Sequence, residues 1–89
     1  MKIAMYGIKS CHSCKDAEEA FAKEGIKYDY LEFYSDPIHL KEFIIKRDTD
    51  PVFKPIKENG YIGIPYFELE DGTKTFDFNE VIEKCKSSK

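Results

Sequence analysis

Cys11 and Cys14 stand three residues apart in Cys11-His12-Ser13-Cys14, and Lys9 and Lys15 flank them. Two thiols at this spacing suit a reversible disulfide or half of a metal site. If a helix begins near Cys11, their Cβ atoms lie roughly 5–6 Å apart. That is near the separation of about 4.4–6.8 Å between Cα atoms that a disulfide spans. The unpaired N–H groups and the positive end of the helix dipole then favour a thiolate at the exposed end. Cys11 is thus the candidate nucleophile, and Cys14, one turn deeper, the resolving thiol. The two lysines add positive field, whereas Asp16 and Glu18 oppose it. A protonated His12 would stabilise the thiolate further; the plain alternative is an exposed first-turn residue with no special role.

The metal alternative is weaker. A tetrahedral zinc site needs four ligands, and one pair of cysteines supplies two. Cys85 falls on an apolar helical stripe and reads as a small core residue. His39 lies beside the apolar stripe of another helix, so no metal site within the chain is expected. The carboxylates show no pairing that suits hydrolysis, and no glycine-rich phosphate loop is present.

The elements that must position these thiols follow from periodicity. Residues 2–6 alternate as a strand, with Ile3 and Met5 on one face and Ala4 and Tyr6 on the other. A helix is predicted over 11–24, with Cys14, Ala17, Ala20 and Phe21 on its inner face, ended by Gly25. Residues 27–33 form an aromatic-rich second strand, so the first three elements make a βαβ unit with parallel strands. Asp36-Pro37 starts a second helix, with Leu40, Phe43 and Ile44 as its buried stripe and an end near Arg47. Asp50-Pro51 could open a further short helix that Pro55 interrupts. Residues 66–69 and 74–76 form a hairpin about Asp71-Gly72. A last helix opens with the capping-box-like pair Asp77 and Glu80 and buries Phe78, Val81, Ile82 and Cys85, and residues 87–89 read as a polar tail.

Composition narrows the class. The chain has 89 residues, 42% of them hydrophobic and 15% aromatic, which fits a single domain over 1–89 with one folded core. The net charge of −3 and the absence of a basic patch argue against nucleic acid and anionic membrane as partners. The apolar run at residues 1–7 is too short for a signal peptide or a membrane span. A cytoplasmic location is expected, and there a close cysteine pair points to redox chemistry. A monomer is expected.

The order β-α-β-α-β-β-α predicts a four-stranded mixed sheet with helices on both faces, a thioredoxin-like α/β layout with the cysteine pair at the end of strand one. Pro65 cannot donate to a sheet ladder, so it must open its strand or sit on an edge. In the thioredoxin-like fold the corresponding proline is cis and faces the cysteines, where Ile64 could offer its N–H and C=O to an extended thiol peptide.

The chain resembles the glutaredoxins over nearly its whole length. Tyr6-Gly7-Ile8-Lys9-Ser10-Cys11-His12-Ser13-Cys14, Gly63-Ile64-Pro65-Tyr66-Phe67 and Asp71-Gly72 carry the resemblance. Lys46-Arg47-Asp48, Phe53 and Asn59-Gly60-Tyr61-Ile62-Gly63-Ile64-Pro65 are similar to a bacterial glutaredoxin-related branch. The resemblance implies a dithiol oxidoreductase that reduces protein or glutathione mixed disulfides through Cys11, with Cys14 resolving. It implies a groove at Ile64 and Pro65, with Lys9, His12, Ser13, Arg47 and Asp77 as further binding positions. It also implies glutathione as reductant with no tightly bound cofactor, and disulfide-bearing proteins and the glutathione or thioredoxin reductase systems as partners. His12-Ser13 stand where the family has proline and tyrosine. Thr75-Phe76-Asp77-Phe78 occupies the place of a Gly-Gly pair and a following acidic residue, which Asp77 or Asn79 would replace. An iron–sulfur cluster carried between two chains through Cys11, or a redox-sensing module, is the non-enzymatic alternative. Tyr6-Gly7-Ile8-Lys9-Ser10-Cys11 is also similar to the start of arsenate reductase-like and Spx-like proteins, which typically have an Arg-Pro pair at the place of Ile64-Pro65.

Overall fold

Alternation along the first strand divides the protein into two cores. In the computed structural model, which describes residues 1–87, β1 (Ile3–Gly7) directs Ile3 and Met5 into one cluster and Tyr6 into the other. Its neighbour β3 (Tyr66–Leu69) alternates in the same way, with Phe67 and Leu69 in the first cluster and Tyr66 in the second. The first cluster is completed by Cys14, Ala17 and Phe21 of α1 (His12–Lys23) and Val81 of α4 (Phe78–Ser87). The second is completed by Phe43 of α2 (Pro37–Thr49), by Phe53 of a 3-10 helix (Pro51–Phe53), and by Phe33. Helices therefore cover both faces of the sheet.

The sheet is mixed, with strand order β2-β1-β3-β4, where β2 is Asp29–Glu32 and β4 is Lys74–Thr75. β1 runs parallel to β2, pairing Met5 with Tyr30 and Gly7 with Glu32. It runs antiparallel to β3, pairing Tyr6 with Tyr66. The βαβ unit and the hairpin are thus as the sequence predicts, with shorter strands. β2 covers only part of 27–33, because Tyr34 and Ser35 turn back on Glu32.

Four expectations are corrected. The second helix runs on to Thr49, and its predicted stripe of Leu40, Phe43 and Ile44 is buried only at Phe43. Leu40 and Ile44 are exposed, with Ile38 and Ile45, because α2 reaches the core through one aromatic side chain and none of the described residues covers its outer side. Pro55 opens α3 (Lys54–Glu58) instead of interrupting a helix, since its missing N–H falls where no intrahelical partner is needed. The connection between α2 and β3 therefore holds a 3-10 turn and a helix. The capping box forms only half-way: Asp77 accepts from the Asn79 N–H, while its own N–H goes to the Thr75 hydroxyl and not to Glu80. On α4, Val81 is fully buried and Phe78, Ile82 and Cys85 are half-buried against the first core. Part of the predicted tail, residues 88 and 89, lies outside the described residues. Among the described residues no helix is long and apolar enough to cross a membrane.

Candidate functional site

The loop between β1 and α1 delivers Cys11 as the N-cap of the helix. Cys11 has extended backbone (φ −79°, ψ 124°), its N–H donates to the Ile8 carbonyl at 3.0 Å, and its carbonyl accepts from Lys15. Its Sγ accepts a hydrogen bond from the Cys14 N–H at 3.4 Å, in place of the hydroxyl or carboxylate that usually caps a helix. The Cys11 sulfur thus sits at the N-terminal end of the helix with one N–H aimed at it. Both cysteines are free thiols; Cys11 is half-exposed, and Cys14 is fully buried one turn below it. Burial raises the proton affinity of the Cys14 thiol well above the usual range, the Cys11 sulfur adds to this, and the Ile8 amide works against it. The geometry distinguishes the two: one accessible sulfur that accepts from the Cys14 N–H, and one enclosed sulfur held as a thiol.

Gly7 makes that enclosure possible. A Cβ there would lie 2.6 Å from Cys14 Sγ, closer than two such atoms approach. The strand can therefore pass Cys14 only where it has no side chain.

Glu32 fixes the loop from the other side and was missed by the sequence reading. It is 2% exposed, yet charged. The Lys9 N–H donates to its Oε2 at 3.1 Å, and the Ser35 N–H and hydroxyl both donate to Oε1 at 2.9 Å. Burial pushes the carboxyl up, but these hydrogen bonds outweigh it and leave its pKa below the ordinary 4.5. Such a group stabilises the fold above its ordinary value and loses that contribution as pH falls through its lowered folded value. Glu32→Gln therefore lowers the melting temperature at neutral pH, where the amide NH2 must face the N–H donors. The gap to wild type closes in acid. Thermal unfolding of both proteins across this pH range checks the sign.

A groove of about 500 Å³ opens beside Cys11. Ile64 lines it, together with Ile56, Tyr61, Ile62 and Phe76 and the glycines at 60 and 63. The Ile64-Pro65 bond is cis. Pro65 itself is buried behind the wall. The amide and carbonyl of Ile64 take no part in the turn and loop hydrogen bonds among the described residues. Gly63, at φ +99°, has its backbone against Phe53 and Ile56, where a Cβ would come within 3.0 Å of the Phe53 ring. The aromatic wall is thus Tyr61 and Phe76, while Tyr6, Phe53 and Tyr66 are buried in the second core. A sequence signal for the wall exists: Tyr61-Ile62 lies between Asn59-Gly60 and Gly63-Ile64-Pro65, so two large apolar residues sit in a loop that stops them from reaching a core.

The remaining candidates are distributed around this centre. Arg47 donates from Nε to the Ile62 carbonyl at 2.9 Å and from Nη2 to the Tyr61 carbonyl at 2.8 Å, so its guanidinium holds the back of the groove wall. Asp77 caps α4 and lines a different hollow with Asn79, Glu80, Glu83 and Lys84. His12 is exposed, its Nε2 3.6 Å from Asp16, and Ser13 is exposed beside it. Lys9 joins the site through its backbone amide, and its side chain is exposed. His39 donates from Nδ1 to the Glu32 carbonyl at 3.0 Å and Cys85 packs on the first core. Among the described residues no charged side chain lines the groove.

The chain is 37% identical over 57 residues to an uncharacterized protein of Haemophilus influenzae, a match covering 64% of this chain and 66% of that protein. The aligned region thus spans just under two thirds of the relative's length. No family model and no solved structure matches the chain.

Proposed function

We propose that this protein is a dithiol thiol–disulfide oxidoreductase of glutaredoxin-like type on a thioredoxin-like fold. The observation that carries this reading is the pairing of a half-exposed Cys11, capped by the Cys14 N–H, with an enclosed Cys14 one turn below it, at the end of an apolar groove. The Cys11 thiolate attacks a substrate disulfide, forms a mixed disulfide and releases one thiolate. Cys14 then attacks Cys11 Sγ, closes the internal bridge and releases the second. Ile64, with backbone groups outside the loop hydrogen bonds and a position beside Cys11, suits an extended peptide laid along the wall.

The groove chemistry bears on the substrate. Glutathione carries two carboxylates and an ammonium group, and burying such charges without partners is costly. The groove offers apolar side chains, and Arg47, which braces its wall, is already committed to two backbone carbonyls. A disulfide in a protein segment with apolar neighbours is the better fit. The test compares two substrates, a glutathionylated peptide and a peptide disulfide flanked by apolar residues, each assayed with the reduced protein. The expected result is faster reduction of the second, by about tenfold or more in kcat/KM, the scale of one well-placed apolar contact. Equal rates would return glutathione to first place. Failure with both would remove the oxidoreductase reading.

A further inference from the structure

We infer that the phenol of Tyr30 is the hydrogen-bond donor that stabilises the Cys14 thiolate in the resolving step, an inference that rests on the thiol–disulfide reading above. Tyr30 lies on β2 opposite Met5 and is half-buried against the first core. Its hydroxyl is closed off from solvent and is, among the described residues, the buried side-chain oxygen without a hydrogen-bond partner. An unpaired buried hydroxyl counts against the fold, and a phenylalanine would avoid that cost. The position of the hydroxyl suggests what it serves. A Cβ built on Gly7 would be 2.6 Å from Cys14 Sγ and 3.4 Å from the Tyr30 oxygen, so the sulfur and the phenol face the same small space beside the bare glycine.

The surroundings keep both groups protonated at rest. Burial raises the proton affinity of Tyr30, followed by Cys14, by Glu18 on α1, by Glu32 on its own strand and by Tyr28 just before that strand. Cys14 faces Cys11 and Glu18, which act in the same direction, and the Ile8 amide, which opposes them. The resting site thus holds a fixed O–H donor with no acceptor beside a thiol that becomes an acceptor once it ionises. Donors fixed where charge will develop stabilise it without reorganisation. In the resolving step the Cys14 thiol gives its proton to water, and its thiolate attacks Cys11 Sγ. The bond between Cys11 and the substrate sulfur breaks, and the substrate leaves as a thiolate that is protonated by water. The cysteine pair is oxidised, the substrate is reduced, and the phenol keeps its proton throughout.

The test uses full-length protein and the aromatic disulfide dithiobis(nitrobenzoate) in stopped flow. Attack by Cys11 releases a first thionitrobenzoate, and attack by Cys14 on the mixed disulfide releases a second. In Tyr30→Phe the first phase is expected to stay within about twofold of wild type, while the second slows by about tenfold or more, the scale of one hydrogen bond to a charged group. The pH midpoint of the second phase moves upward, and the melting temperature does not fall, because an unpaired hydroxyl has been removed. Tyr28→Phe serves as the neighbouring control and leaves the second phase unchanged. A Tyr30→Phe protein with the wild-type second phase would overturn the inference, as would equal slowing in the two variants. A wild type lacking the second phase, or a second phase that survives in Cys14→Ser, would overturn the dithiol reading and this inference with it.

Discussion

Cys11→Ser is expected to lower disulfide reduction by about three orders of magnitude or more, the scale on which loss of a nucleophile is felt. A serine hydroxyl does not ionise near neutral pH, and Cys14 cannot take over. Cys14 is fully buried, its thiol is held protonated, and the Gly7 backbone packs against its sulfur. Cys14→Ser gives the opposite result. The exposed sulfur still attacks, but no internal thiol resolves the product, so the mixed disulfide accumulates. Mass spectrometry after brief exposure to a peptide disulfide reads both outcomes: one adduct on Cys14→Ser and none on Cys11→Ser. An adduct on Cys14 in the Cys11→Ser protein would overturn the assignment of roles. Serine should also disturb the fold little, because its hydroxyl can accept the residue 14 N–H now directed at Sγ.

Phe53→Ala is expected to have the largest effect on stability, about 3–5 kcal/mol. The ring is fully buried and meets Tyr66 at 4.7 Å, Phe76 at 5.1 Å and Phe43 at 5.6 Å between centroids. It therefore joins α2, β3 and the segment after β4 in one cluster, and truncation leaves a cavity that three other rings cannot close together. Phe53 also supports the groove, since the Gly63 backbone rests on its edge. The variant should consequently lose substrate discrimination as well as stability, while dithiobis(nitrobenzoate), which needs no groove, still reacts at Cys11. Urea unfolding and the ratio of peptide to small-disulfide rates measure the two effects separately. A variant that loses stability but keeps its peptide preference would show that Arg47, through its two carbonyl contacts, holds the wall without help from below.

Much of the fold was legible because burial in a sheet is local and periodic. Ile3, Met5 and Tyr6 in β1 and Tyr66, Phe67 and Leu69 in β3 divide between two cores by alternation alone. Asp36-Pro37 and Asp50-Pro51 mark helix starts in the structure as they do in the sequence, each aspartate accepting the N–H two residues on. The same reasoning failed on α2. Helical spacing shows that Leu40, Phe43 and Ile44 can share a face, but not that a neighbouring layer covers it, and here only Phe43 reaches one.

At the site the division is sharper. The sequence alone determined the chemistry on offer: two thiols one turn apart at a strand-to-helix junction, and a proline opening a later strand. Those are properties of residue type and short spacing, which the chain carries wherever it folds. Only the tertiary structure decided what encloses Cys14 and what braces the loop before Cys11. The enclosure of Cys14 depends on Gly7 and Tyr30, and the loop before Cys11 depends on Glu32, a strand-end carboxylate that looks like any exposed acid until Lys9 and Ser35 donate to it. It likewise turned Arg47 from a candidate ligand for a carboxylate into a support for the groove. The physical reason is the same in each case: desolvation and hydrogen bonding are set by the groups that surround a side chain, and those groups come from distant parts of the sequence that meet only when the chain is folded.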